Sequence, residues 1–230
     1  MSEFQDQIVF VTGACGMLGE IVVRQFLDAG AQVVGVDKHW PGVPETGRLL
    51  PVELDLSDPA QCRRAVDIAL ERHGRIDVLL HLVGGFAAGA SIAETSDEIW
   101  FGMLNINLNS TFMLCREVLP HMLANRRGRI IAIGAKAGVD PVANMGAYHV
   151  SKAAVHALIR AIGRECKGTG VTANAILPSI IDTETNRKAM PDKDHSKWVQ
   201  PTAIAQLIQY LASGAAADIN GALIPIYGQA

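Results

Sequence analysis

Two side chains in this sequence are spaced for proton transfer: Tyr148 and Lys152 in the segment Tyr148-His149-Val150-Ser151-Lys152, which opens a predicted helix. Residues four apart on a helix project from one face, about one turn distant. A free phenol titrates near pH 10, and an adjacent ammonium stabilises its anion and lowers that value by about one unit or more. A phenol held this way can give a proton when hydride reaches a carbonyl or imine carbon, and can take one in reverse. The Y-x-x-x-K spacing is common in amphipathic helices, so its meaning depends on a binding site beside it.

Such a site is suggested near the N-terminus. Thr12-Gly13-Ala14-Cys15-Gly16-Met17-Leu18-Gly19 follows an apolar run and leads into a helical pattern. Glycine at a strand-to-helix turn allows positive φ and close backbone approach, and a diphosphate can rest on the first-turn amides at Met17, Leu18 and Gly19, where the helix dipole is positive. Asp37 ends the next apolar run, where a carboxylate accepts from adenosine ribose hydroxyls and repels a 2′-phosphate. This favours NAD(H) over NADP(H); Lys38 beside it softens the preference.

The elements that must position these residues follow from periodicity. Short apolar runs at Ile8-Val11, Val33-Val36, Leu50-Leu54, Val78-Val83, Ile130-Ile133, Val171-Leu177 and Leu223-Ile226 mostly lack polar alternation, as expected of parallel strands buried on both sides. Longer helical patterns separate them. The chain therefore reads as α/β: one doubly wound Rossmann-like domain over 1–230, with a seven-stranded, mainly parallel sheet and helices on both faces. Pro225 removes a ladder donor and places the last strand at or near an edge. Leu18, Ile21, Val22, Phe26 and Ala29 give a helix stopping at Gly30, and Asp58-Pro59 opens a capped helix ending near Gly74. Further helices are predicted over Asp97–Leu108, Thr111–Asn125, Tyr148–Cys166 and Thr202–Ser213. Ser179 to Gln200, charged and irregular, reads as an insertion above the sheet and a candidate substrate lid.

Composition narrows the function classes. The formal net charge is -3, with 20 basic against 23 acidic side chains and no basic block, which argues against a nucleic-acid or anionic-membrane partner. The N-terminal segment lacks a charged-then-apolar leader and no apolar run is long enough to span a bilayer, so a cytoplasmic location is expected. The cysteines Cys15, Cys62, Cys115 and Cys166 form no C-x-x-C pair, and the histidines no H-x-x-x-H pair; no metal site is expected.

In order along the chain, the glycine turn, Asp37, Asp55-Leu56, Val83-Gly84, Ile106-Asn107-Leu108 and Tyr148/Lys152 resemble the short-chain dehydrogenase/reductase family, over essentially the whole length. The resemblance implies a nicotinamide-dependent oxidoreductase acting on a small molecule. It implies that Gly13, Gly16 and Gly19 cradle the diphosphate, that Asp55 and Leu56 flank the adenine, and that Val83-Gly84 closes over the cofactor. It further implies that Asn107 breaks its helix and supports a water on Lys152, that Lys152 holds the nicotinamide ribose, and that Pro178, Ile181 and Thr183 contact the nicotinamide end. Catalysis would fall to Tyr148, Lys152 and Asn107.

Three departures stand out. The glycines read G-x-x-G-x-x-G, as in extended epimerase-like members, where short members usually carry G-x-x-x-G-x-G. His81-Leu82 replaces a usual pair of asparagines. Ala135 occupies the position of the family's catalytic serine, 13 residues before the tyrosine. Losing one such donor costs about two to three orders of magnitude in turnover when the substrate depends on it, so the substrate is already electron-poor or another group, such as Lys136, supplies polarity. Dihydropteridine reductases share this alanine, and Gly134-Ala135-Lys136-Ala137 with 182–191 is similar to that subgroup, giving a quinonoid dihydropteridine reductase as one alternative. A catalytically quiet dinucleotide-binding regulator is another. The apolar coverage of the helices at 111–125 and 148–166 exceeds one sheet-facing stripe, and predicts a homodimer or homotetramer through their outer faces.

Overall fold

The computed structural model describes residues 4–41 and 47–229. Seven strands, β1 (Ile8–Thr12), β2 (Gln32–Asp37), β3 (Leu49–Glu53), β4 (Val78–His81), β5 (Gly128–Ile133), β6 (Val171–Pro178) and β7 (Leu223–Ile226), form one sheet in the order β3-β2-β1-β4-β5-β6-β7. Every pairing is parallel, so the sheet is wholly rather than mainly so. Pro225 lies in β7, which forms one edge as its missing donor requires.

Helices α1 (Met17–Asp28) and α7 (Pro201–Ala212) cover one face; α2 (Pro59–His73), α4 (Ser110–Ala124) and α5 (Gly146–Glu165) cover the other. On the first face Val9, Val11, Leu80 and Ile131 meet Val22, Phe26, Ile204 and Ile208. On the second, Phe10, Leu79 and Ile130 meet Leu114, Val118 and Ile159. Burying each such side chain contributes about 1.5–3 kcal/mol, so both helical layers are fixed against a rigid sheet. The Asp58 carboxylate caps α2 by accepting from the Ala60 amide at 2.8 Å, and Gly74 ends it at φ 74°.

Most boundaries shift by one or two residues from the sequence reading, and two larger differences have identifiable reasons. Strand β4 stops at His81 rather than Val83 because the Leu82 amide leaves the ladder and donates to Thr12 Oγ1 at 3.1 Å. Helices α3 (Asp97–Met103) and α4 are not separated by a break at Asn107: a π-helical turn over Leu104–Asn109 joins them. The Ser110 and Thr111 hydroxyls donate to the Ile106 and Asn107 carbonyls, both at 2.6 Å, and take up backbone acceptors that the widened turn presents.

The sheet order reverses direction between β1 and β4. Chains leaving their C-terminal ends diverge there and open a crevice, the usual ligand position in open α/β sheets. The turn after β1, the turn after β4 and the N-terminal end of α5 all meet at this crevice.

Candidate active site

At the first turn, Gly13 has φ 66°, and a Cβ there would meet the Val83 amide nitrogen at 3.3 Å. Gly19 is more constrained, since a Cβ would lie 2.0 Å from the Gly13 carbonyl oxygen. These two glycines let α1 begin directly against the turn, whereas Gly16, at φ -73°, is its N-cap. No side chain caps α1, so the amides of Met17, Leu18 and Gly19 stand at an uncapped helix N-terminus. Asp37 braces this turn: Oδ2 accepts from the Cys15 amide at 3.0 Å and Oδ1 from the Lys38 amide at 2.8 Å.

Beneath the turn His81 is fully packed between strands. Its Nδ1 lies 2.9 Å from Thr12 Oγ1, and its Nε2 3.1 Å from Ser110 Oγ. Because Ser110 donates onward to the Ile106 carbonyl, its oxygen accepts from His81 Nε2–H, and Thr12 donates to Nδ1. This relay needs a neutral ring. Burial, with the Lys152 charge second, lowers the His81 pKa to about 3 and keeps it neutral. His81 thus connects β1 and β4 to the π-helical turn where asparagines are usual.

That turn aims Asn107. Its Oδ1 accepts from the Gly85 amide at 2.9 Å, and its Nδ2 donates to the Gly85 carbonyl at 3.1 Å and to Ser151 Oγ at 2.9 Å. Ser151 in turn donates to the Tyr148 carbonyl at 2.8 Å. A Cβ on Gly84 would meet Asn107 Oδ1 at 2.9 Å and Lys152 Nζ at 3.1 Å, so Gly84 lies directly over both, while Val83 lies against Gly13. Ser151 is a member of the cluster that its sequence context did not single out; its place on the Tyr148/Lys152 face of α5 is the signal that could have found it.

Tyr148 and Lys152 share that face, as their spacing predicts, but their electrostatics differ from the expectation of an acidified phenol. Lys152 is buried and its Nζ donates to the Ile133 carbonyl at 2.9 Å. Burial lowers its pKa to about 8. Burial also raises Tyr148 to about 12, outweighing any help from the ammonium. Among the described residues the Tyr148 hydroxyl has no hydrogen-bond partner, while its ring sits edge-on to Phe86 with centroids 5.0 Å apart. The arrangement holds a protonated phenol at the mouth of the crevice at neutral pH.

A family model for short chain dehydrogenases matches residues 7–194. The chain belongs to the short-chain dehydrogenase family. It is 31% identical to meso-2,3-butanediol dehydrogenase of Serratia marcescens, with 99% of this chain and 95% of the relative covered. It is also 31% identical to the 3-oxoacyl-acyl-carrier-protein reductase MabA of Mycobacterium tuberculosis, covering 98% and 93%. The ligand-free aldohexose dehydrogenase of Thermoplasma acidophilum superposes with a TM-score of 0.89 at 26% identity, covering 99% and 95%.

Ala135 is buried, and its amide donates to His156 Nε2 at 3.3 Å. Burial, and then Lys152, lowers His156 to about 4, so the imidazole stays an acceptor. His149 bridges the following loop, with Nδ1 donating to the Ala137 carbonyl and Nε2 accepting from the Val142 amide at 3.0 Å. Among the described residues no group of three His, Cys, Asp or Glu could hold a metal, and no helix is long and apolar enough to cross a membrane.

The outer candidate residues flank this centre. Leu56 is buried beyond β3; Asp55 is exposed, accepts from the Ser57 amide at 2.9 Å, and has a pKa lowered chiefly by that bond. Pro178 ends β6. Ile181 pairs with Val199, and Thr183 caps α6 (Glu184–Ala189) by accepting from the Asn186 amide at 3.1 Å. Asp182 accepts from Arg187 Nε and Nη2 and from Gln200 Nε2 at 2.8 Å, bonds that hold its carboxyl well below the usual range. The irregular segment above the sheet is therefore a short helix pinned at its base. Pro178, Ile181 and Thr183 make no hydrogen bond to Tyr148 or Lys152 among the described residues.

Proposed function

We propose that the protein is an NAD(P)(H)-dependent oxidoreductase that transfers a hydride between nicotinamide and a small C=O or C=N substrate, with Tyr148 as general acid/base. The reading rests on one juxtaposition: an unengaged phenol one helical turn from a buried lysine, packed under Gly84 and braced by Asn107. The names of the relatives, a 3-oxoacyl reductase and a butanediol dehydrogenase, support an oxygen-bearing carbon as the reacting centre.

The residues fit a dinucleotide because Gly13 and Gly19 let the turn pack directly against Val83 and α1, and no side chain caps the first-turn amides of α1. Gly13, Gly16 and the amides of Met17, Leu18 and Gly19 would hold the diphosphate, Asp37 the adenosine ribose, and Asp55 and Leu56 the adenine. Val83, Gly84, Lys152, Pro178, Ile181 and Thr183 would line the nicotinamide half. When bound, nicotinamide supplies or accepts the hydride. Tyr148 donates its proton to the substrate heteroatom during reduction, and Lys152 carries charge beneath it. Asn107, through Ser151, fixes the start of α5 and so the phenol's position.

Turnover of NADH and NADPH side by side on ketones, quinones and a quinonoid dihydropterin, with Tyr148→Phe as control, tests this reading. Tight dinucleotide binding without turnover on any substrate would support a regulator instead.

Asp37 supports NAD(H) as the preferred cofactor. Its carboxylate is braced beside the turn, where a 2′-phosphate would meet like charge. Asp37→Ser is expected to shift the kcat/KM ratio toward NADPH by about tenfold or more, about 1.4 kcal/mol in relative transition-state binding. An unchanged ratio in paired kinetics would remove Asp37 from the selection.

A homodimer or homotetramer through α4 and α5 is the expected assembly. Phe112 and Leu123 of α4 and Val150 of α5 remain exposed after both helices have buried their sheet-facing sides. Sedimentation at micromolar concentration should give a dimer or tetramer; a monomer throughout that range would contradict the proposed interface.

A further inference from the structure

Four large apolar side chains stand in solvent on the loops that lead from β4 and into α5: Phe86 is 66% exposed, Ile92 69%, Val139 59% and Val142 60%. Their loops are held in place. Ala90 bridges Met145, and the Gly89 amide donates to the Asn144 carbonyl at 2.8 Å, which docks the loop after β4 onto the loop before α5. Ile92 lies against Gly146, where a Cβ would meet its Cδ1 at 2.1 Å, and His149 holds the backbone at Ala137 and Val142. Phe86 reaches the reactive ring itself, edge-on at 5.0 Å. A fixed apolar rim whose innermost member touches the proton donor fits a flat apolar body presented to that donor.

The polar groups nearby constrain the reacting end. Asn107 Nδ2 donates to Gly85 and Ser151, the Ser151 hydroxyl to Tyr148, the Ser179 hydroxyl to Tyr227, and the Ala135 amide to His156. These donors are spent on the protein and Lys136 Nζ is held over the Tyr227 ring at 5.3 Å, whereas the Tyr148 hydroxyl has no hydrogen-bond partner among the described residues and can meet the substrate oxygen. A carbonyl reduced with so little polarisation must be activated from within, as by a second carbonyl on the adjacent carbon.

We infer that the preferred substrate is a planar aromatic 1,2-dicarbonyl compound, of the ortho-quinone class, seated on Phe86 and the apolar rim. The inference rests on the oxidoreductase reading above. In the step, the quinone takes two electrons and one proton as hydride from reduced nicotinamide and a second proton from Tyr148. The products are the dihydroxyarene and oxidised nicotinamide, and solvent reprotonates Tyr148.

Two vicinal dicarbonyls differing in the ring test it: 9,10-phenanthrenequinone and diacetyl, each assayed with NADH and NADPH. The quinone should exceed diacetyl by about a hundredfold in kcat/KM, since its central ring becomes aromatic on reduction and its aromatic body meets the apolar rim, while Phe86 variants isolate the rim's share. Calorimetric titration with 9-phenanthrol, which needs no turnover, should show Phe86→Ala binding about tenfold more weakly, Phe86→Trp restoring affinity, and Tyr210→Ala, remote on α7, unchanged. Diacetyl within about threefold of the quinone, or 9-phenanthrol binding that ignores Phe86→Ala, would overturn the inference while leaving the oxidoreductase reading intact. Reduction of neither dicarbonyl, with 9-phenanthrol still binding through Phe86, would instead count against the oxidoreductase reading on which the inference rests, and overturn it too.

Discussion

Tyr148→Phe should lower kcat by about a hundred- to ten-thousand-fold, the range that a positioned proton donor supplies, while dinucleotide affinity stays within about twofold. The substitution deletes one hydroxyl that has no protein partner among the described residues, and keeps the ring that packs on Phe86. The fold should tolerate it, so lost turnover would report chemistry. Fluorescence titration with NADH separates the two effects. The pH profile carries the mechanism further. Burial raises Tyr148 to about 12, so the phenol is protonated, and competent to donate, throughout the neutral range. Lys152, lowered to about 8 by burial, loses its charge first as pH rises. Reduction should therefore hold a plateau below about pH 8 and decline above it, whereas oxidation, which needs the phenolate, should rise with pH. Wild type reducing substrate at an undiminished rate past the Lys152 transition would show that the ammonium has no part in the step.

The phenol's acidity marks where sequence reasoning stops. Four-residue spacing correctly brings Tyr148 and Lys152 to one helix face, but spacing carries no information on burial. Here burial sets the direction of both shifts, and Lys152 turns to the Ile133 carbonyl instead. The strands were readable because a parallel sheet covered on both faces yields unbroken apolar runs, and Pro225 marked the edge through its missing donor. Asp58 and Gly74 marked α2 by cap chemistry that is local in sequence.

What escaped was non-local. His81 meets partners 69 and 29 residues away, and His156 one 21 residues away, so neither ring could be assigned a role from its neighbours. The π-helical turn escaped for a related reason. The Ser110 and Thr111 hydroxyls that follow it look like ordinary helix polar residues until their carbonyl partners and the direction of Asn107 are known. The glycine turn was legible as a motif, yet the spacing alone could not rank its glycines. The structure ranks them by what occupies the space around each.

That ranking yields the second large effect. Gly19→Ala should destabilise the protein by about 2–3 kcal/mol and weaken dinucleotide binding by at least a hundredfold, whereas Gly16→Ala should cost less than tenfold in binding. A Cβ on Gly19 would lie 2.0 Å from the Gly13 carbonyl oxygen and 2.9 Å from Ala14 backbone atoms, none of which can rotate away. On Gly16 the nearest atom is that same oxygen at 3.3 Å, and the backbone there is extended, at φ -73°. Relief of the Gly19 clash must move α1 off the turn. Its first-turn amides would then shift from the crevice, and the Cys15 amide would be drawn from Asp37. Stability and affinity should fall together, measured by thermal unfolding and NADH titration, because one contact fixes both the packing of α1 and the anion-binding geometry. A Gly19→Ala protein that melts lower but binds NADH normally would separate the two and place the dinucleotide elsewhere.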